Sequence, residues 1–121
     1  MMTNHKLHTI YTAQYRYAGY DRFDITVKGQ DPMGLHFAPT WNMVMNHKKG
    51  IITDQQYIDQ YIPILNAVPP HVWDWFLTPE QRTLVCFCPE GAFCHRDLLV
   101  NYISNVLGNR IQYGGFKRSI I

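Results

Sequence analysis

A near-continuous apolar run, TLVCFC, spans Thr83–Cys88 and is bounded by Arg82 and Pro89. A run of this kind, buried on both faces, predicts a central parallel strand. Behind it, Leu98, Leu99, Tyr102, Ile103, Val106 and Leu107 recur at helical spacing and predict a helix over Asp97–Leu107, closed by Gly108. Leu7–Tyr15 (LHTIYTAQY) is rich in Thr, Ile and Tyr and predicts a first strand; Asp24–Val27 and Ile111–Tyr113 are two further short strand candidates. Arg16–Arg22 and Lys28–Gly34 carry loop and turn chemistry. Ala38-Pro39-Thr40-Trp41 opens a helix, with Pro39 placed in its first turn, that runs to about Lys49 and stops at Gly50. Thr53 or Asp54 caps a second helix, with Tyr57, Ile58, Tyr61, Ile62 and Leu65 on one face. Pro63 inside it predicts a kink or an early end. A short helix over Val72–Leu77 carries Trp73 and Phe76 inward. Strand, helices, strand, helix, strand is the order of an α/β sandwich with a small, mostly parallel sheet flanked by helices.

Composition narrows the class. The 121 residues are 46% hydrophobic and 17% charged, which describes a globular chain, and residues 1–121 read as a single domain without repeats or linkers. A net charge of +2, with Lys and Arg dispersed and no basic helix, argues against DNA binding. No apolar run approaches a membrane span, and the polar segment Met1–His8 lacks the apolar stretch of a signal peptide, so a cytoplasmic protein is expected. The three cysteines all fall between Cys86 and Cys94, which is no disulfide framework and suits a reducing compartment. The abundance of Tyr and Trp predicts a homo-oligomer.

The candidate chemistry lies in LVCFCPEGAFCHRD (Leu84–Asp97): a buried strand, a tight loop with Gly91, then Cys94-His95-Arg96 opening a helix. Ligands of open α/β sheets bind outside the carboxyl ends of the strands. A helix N-terminus there favours an anion, Arg96 offers a forked donor for phosphate, and the same field favours a thiolate at Cys94. A phosphatase loop is excluded, because seven residues separate Cys88 from Arg96 and one separates Cys94 from it, where five are needed. For a metal, Cys86, Cys88, Cys94 and His95 are the candidates. Cys86 and Cys88 are two apart on a strand, however, and the run lacks the usual C-x₂-C pair, so no metal or other cofactor is expected. Cys86 and Cys88 then read as small core hydrophobes. A second cluster crowds the end of the first strand: Tyr11, Gln14, Tyr15, Arg16, Tyr17, Tyr20, Asp21 and Arg22. If that strand lies parallel to Thr83–Cys88, both loops emerge at one edge, where tyrosines stack a base and Arg16 and Arg22 pair phosphates. Phe37, Pro39, Thr40 and Trp41 supply another wall. Taken singly, the tyrosines are better explained by strand propensity and half-buried packing; as a cluster with two arginines among the rings, the two readings balance. His5, His8, His36, His47 and His71 are scattered and read as surface or loop residues, and Lys48-Lys49 as charge at a helix C-terminus.

The segment TLVCFCPEGAFCHRDLLVNYI (Thr83–Ile103) resembles the signature of the domain of unknown function 488 family: a hydrophobic strand, a Cys, a short loop and Cys-His-Arg before a helix. The short phage-type branch is similar also at YTAQYRYAGYDRFDITVKG (Tyr11–Gly29), FAPTWNMVMNHKKG (Phe37–Gly50) and ITDQQYIDQY (Ile52–Tyr61), while Ser119-Ile120-Ile121 has no counterpart. The resemblance implies an α/β fold with Cys-His-Arg at the carboxyl edge of the sheet. It also implies a distant likeness to nucleotide-handling folds, including nucleoside deoxyribosyltransferases, by fold-level analogy alone. Those transferases use a carboxylate nucleophile, whereas the only glutamates here are Glu80 and Glu90.

Three functions are consistent with these residues. The first is a binding protein for a small phosphorylated, nucleotide-derived ligand. Arg96, Cys94, His95, Tyr11, Gln14, Tyr15, Arg16, Arg22 and Trp41 would be its contacts. In a phage-type protein it would sequester a host defence signal such as an ADP-ribose derivative. The second is a hydrolase or a glycosyl or deoxyribosyl transferase on a similar ligand, with Cys94 as nucleophile, His95 as acid/base and Glu90 as carboxylate. The third is an interaction module that inhibits a host factor through its aromatic surface.

Overall fold

The computed structural model describes residues 7–120. The strands are β1 (His8–Gln14), β2 (Arg22–Asp24), β3 (Gln81–Cys86) and β4 (Ile111–Lys117); the helices are α1 (Trp41–Lys48), α2 (Asp54–Asn66), α3 (Pro70–Phe76) and α4 (His95–Leu107), with a 3₁₀ turn over Gly34–Phe37. The four strands form one sheet in the order β2-β3-β1-β4, and every pairing is parallel. The α/β class, the small parallel sheet and the central position of β3 are as the sequence predicts. No helix among the described residues is long and apolar enough to cross a membrane.

Side chains alternate along a strand, and the two faces of this sheet are covered differently. Ile10, Phe23 and Leu84, which share a register row or face, join one core with Met43 of α1, Tyr61 and Leu65 of α2, Val72 and Phe76 of α3, and Leu99 and Ile103 of α4. Ala13 and Val85 point the other way and form a small second cluster with Tyr17 and Tyr15, to which no helix contributes. The chain from β1 to β2 covers this second face. It returns from Gln14 to Arg22 on the far side of β3, and Asp21 ties it down. The backbone carbonyl of Asp21 accepts from the Thr83 amide at 2.8 Å, and its buried carboxylate takes bonds from Tyr17, Gln81 (2.6 Å), Thr83 (2.7 Å) and Lys117 (3.0 Å). A loop thus does on this face what a crossover helix does in most parallel sheets.

Several boundaries differ from expectation for identifiable reasons. β2 occupies Arg22–Asp24 rather than Asp24–Val27, because Asp24 turns its carboxylate back onto the amide and hydroxyl of Thr26 (2.9 and 2.6 Å) and ends the ladder. β3 stops at Cys86, and Phe87, instead of continuing the strand, is 66% exposed. β4 runs on to Lys117 through a bulge, and Gly114 leaves room there for the Tyr11 ring, which a Cβ would strike. Pro39 precedes α1 rather than sitting in its first turn, since Thr40 is the N-cap and accepts from the Met43 amide. Thr53, the first of the two residues foreseen, caps α2 in a reciprocal box with Gln56. Pro63 neither breaks nor shortens α2, which continues to Asn66. It lies on the exposed side, as does Asp59, whose carbonyl lost its partner and faces water. His8 is buried in β1 with Nδ1 2.7 Å from the Pro79 carbonyl, whereas His36 and His71 are exposed as expected; His5 lies outside the described residues.

Candidate functional site

A cavity of about 220 Å³ opens at the carboxyl ends of β2 and β3, where the topology rule for parallel sheets places ligands. Its floor is cysteine and histidine: Cys86 and Cys88 come off the end of β3, and Cys94 and His95 begin α4. One wall is Thr26, Val27 and Lys28, just after β2. A further part of the lining is Pro39 with Trp41, Val44, His47 and Lys48 of α1. Phe87, Phe93 and Tyr57 complete an aromatic lining. No lining residue is a carboxylate. Two exposed aromatic side chains, Trp41 at 48% and Phe87 at 66%, stand at the cavity, and the Lys28 ammonium lies 4.4 Å above the Trp41 ring.

The floor is tightly organised. Cys86 Sγ is 3.2 Å from Cys94 Sγ and 3.9 Å from Cys88 Sγ. The three sulfurs all lie within 4.8 Å of one another. His95 is buried, and its Nε2 lies 2.8 Å from the Ile25 carbonyl. A carbonyl only accepts, so Nε2 carries the hydrogen and Nδ1 carries the free lone pair. Nδ1 faces the sulfurs, at 3.9 Å from Cys86 and 3.8 Å from Cys94. Burial pushes the His95 imidazole down to about 4, so the ring is neutral at physiological pH. The hydrogen bond from Cys86 pulls the Cys88 thiol below its ordinary value, helped by the Arg96 charge, and the bonds among the thiols push Cys94 above its own. The helix N-terminus led to the expectation of a thiolate at Cys94. Cys94 is 4% exposed and donates its S–H to Cys86, which in turn donates to half-buried Cys88, so the arrangement does not favour a thiolate at Cys94.

Of the residues singled out in the sequence, the structure brings Cys86, Cys88, Cys94, His95, Pro39 and Trp41 into this cavity and places the other proposed ligand contacts elsewhere. Arg96 is fully buried. Its Nη1 donates to the carbonyls of Ala13 (2.9 Å) and Cys88 (3.1 Å), its Nη2 to that of Pro89 (3.3 Å), and its plane lies over Phe116. It ties the end of β1 to the 88–89 loop and presents no donor to the cavity, so the expected phosphate contact is corrected to a structural one. Arg22 is spent in the same way on the carbonyls of Tyr15 (2.8 Å) and Tyr17 (2.9 Å). Tyr15 does not line the cavity but stacks on Phe87 at 4.0 Å, backing one of its walls. Tyr11 lies beneath the Lys117 ammonium, on the β1–β4 side of the sheet. Gln14, Arg16 and Glu90 line a separate groove with Lys117 and Arg118, and Glu90 pairs with Arg118 at 2.8 Å. Glu90 is therefore not assembled with Cys94 and His95. Phe37 is core, Thr40 is a cap, and Tyr20 is 89% exposed.

Phe87 and Phe93 lie inside the signature segment, where the sequence predicts strand and loop, and both line the cavity. His47 and Lys48, about two helical turns beyond Trp41 on α1, also line the cavity, although the sequence reads them as surface histidine and helix-end charge. The available signal was the i, i+3 spacing of Trp41 and Val44 with His47 and Lys48, a face of α1 with only Met43 buried behind it. No protein-family model, curated protein or solved structure matches this chain.

Proposed function

We propose that the protein binds a small nucleotide-derived anion, with its ring system in the cavity at the carboxyl edge of the sheet and its phosphate at the mouth. The observation that carries this reading is the lining itself: aromatic side chains around an apolar interior, Lys28 and Lys48 among the lining residues, and no carboxylate. A volume of about 220 Å³ is below the roughly 300–1,000 Å³ of drug-sized pockets, which suits one base or sugar inside and the charged remainder outside. Trp41 and Phe87 supply faces for stacking, and the lysines replace Arg96 as the phosphate partners. Glu90, the carboxylate a transferase reading needs, is engaged by Arg118 outside the cavity, which favours binding over transfer. Holding a nucleotide without turning it over suits sequestration of a signal nucleotide.

The test is one incubation with a panel of mononucleotides, cyclic dinucleotides and ADP-ribose derivatives, followed by ultrafiltration and chromatography of both fractions. A compound should vanish from the filtrate and return intact when the retained protein is denatured. Stacking on an aromatic side chain contributes about 1–3 kcal/mol per base, so Trp41→Ala should weaken retention about tenfold or more. A compound that returns chemically changed makes the protein an enzyme. Retention of none of the panel overturns the nucleotide reading.

A further inference from the structure

The thiols and the imidazole on the cavity floor make a second, separate case, which does not rest on the nucleotide reading. We propose that Cys86, Cys88, Cys94 and His95 form a tetrahedral site for Zn²⁺, with three sulfurs and Nδ1 as ligands. Four donors at about 2.3 Å (sulfur) and 2.0–2.1 Å (nitrogen) from one ion stand about 3.8 Å apart for sulfur pairs and about 3.5 Å for sulfur and nitrogen. The chain presents sulfur pairs at 3.2 and 3.9 Å and sulfur–nitrogen pairs at 3.8 and 3.9 Å. These are four of the six edges of such a tetrahedron; Cys88 and Cys94 Sγ lie within 4.8 Å of each other, and a swing of the half-buried Cys88 side chain toward the His95 ring closes the remaining edges.

The histidine is prepared for this role. Donation from Nε2 to the Ile25 carbonyl fixes the ring and leaves the Nδ1 lone pair facing the sulfurs, as the outer partner of a metal-bound histidine does. The charge balance agrees. Three thiolates, one neutral imidazole and Zn²⁺ carry one net negative charge. Next to them Arg96 is a fully buried guanidinium bonded only to carbonyls, with no carboxylate at ion-pair distance among the described residues. A buried cation needs a nearby opposite charge, and the site supplies it. The donor set of three soft sulfurs and one nitrogen selects Zn²⁺ over Mg²⁺ or Ca²⁺. Four protein ligands leave no position for water, so the ion ties β3, the loop after it and α4 together rather than activating a nucleophile. On binding, each thiol still protonated loses its proton to the buffer as its sulfur bonds the ion. The strand argument against a metal fails because β3 ends at Cys86. Cys88 lies in the bend beyond it, where its sulfur returns to the cluster.

The test is a titration of the reduced full-length chain with Co²⁺ under anaerobic conditions, after its three thiols have been counted. The expected result is a sulfur-to-cobalt charge-transfer band with strong visible bands of tetrahedral cobalt, saturating at one ion per chain and bleached by Zn²⁺. Cys88→Ser, at a half-buried position, should weaken Co²⁺ binding at least about tenfold and reduce the charge-transfer band, whereas His71→Ala on the surface should change neither. In the unaltered protein, one equivalent of Zn²⁺ should protect the thiols from alkylation, a readout that needs no variant to fold. Absence of the charge-transfer band with all thiols reduced overturns the proposal. So does a Cys88→Ser protein that titrates like the parent, or thiols alkylated equally with and without Zn²⁺.

Discussion

Replacing Arg96 with alanine should cost the protein about 3–5 kcal/mol of folding stability, a large part of what a domain of this size possesses. The side chain is fully buried, and its guanidinium satisfies the carbonyls of Ala13, Cys88 and Pro89. Removing it leaves three acceptors without that donor and opens a void between β1, the 88–89 loop and Phe116. Arg96→Lys keeps the charge but offers one compact ammonium where a planar fork reached three oxygens, so it should recover only part of the loss. Urea denaturation of the three proteins measures this directly. A change below about 1 kcal/mol in Arg96→Ala would show that the guanidinium does not hold the loop. The same variants bear on the nucleotide pocket. Because Arg96 reaches no cavity surface, any loss of ligand in Arg96→Lys should follow its loss of stability.

Asp21→Asn should destabilise the protein by about 2–4 kcal/mol at neutral pH, with an effect that shrinks in acid. Burial by itself would raise the Asp21 carboxyl; bonds from Tyr17, Gln81, Thr83 and Lys117 outweigh it and hold the group well below the usual carboxylate range. Lys117 is the matching cation, lowered by burial but raised on balance by Tyr17 and Asp21. The sign follows from the depressed folded value. The carboxylate's contribution is fully present above the unfolded value of about 3.9 and is lost as pH falls below it toward the folded value. The gap between parent and variant should therefore be constant from about pH 5 to 7 and narrow below about pH 4. Chemical denaturation across that range tests it. A gap independent of pH would mean that the ionised form of Asp21 is not what fastens the β1–β2 loop.

These two residues also show where the sequence stopped being informative. Apolar runs and helical spacing located β1, β3, α2 and α4, because burial of a face leaves a period in the residue order. The position of β3 at the centre of the sheet was legible too, from its two-sided apolar character. Neither period nor composition says that Asp21 meets Gln81, Thr83 and Lys117, contacts made across roughly half the chain or more. Arg96 sat correctly at the start of a helix below the carboxyl edge, but which way its guanidinium turned depended on three carbonyls supplied by other segments. For the site, the segment Cys86–His95 was legible as chemistry. Its aromatic surroundings were not, because Phe87 looks like one more apolar strand residue until the strand is seen to end at Cys86. The convergence of three sulfurs with a histidine nitrogen of fixed tautomer depends on the Ile25 carbonyl, seventy residues away in sequence.

The most direct test of the proposed nucleotide site is chemical-shift mapping of the isotopically labelled protein as a retained nucleotide is added. The expected result is saturable movement of the Trp41 indole resonance together with the amides of Lys28, Phe87 and Phe93, and little change around Arg16 and Arg118. Shifts confined to the Arg16–Arg118 groove, or none at any residue, would contradict the placement of the ligand at the carboxyl ends of β2 and β3.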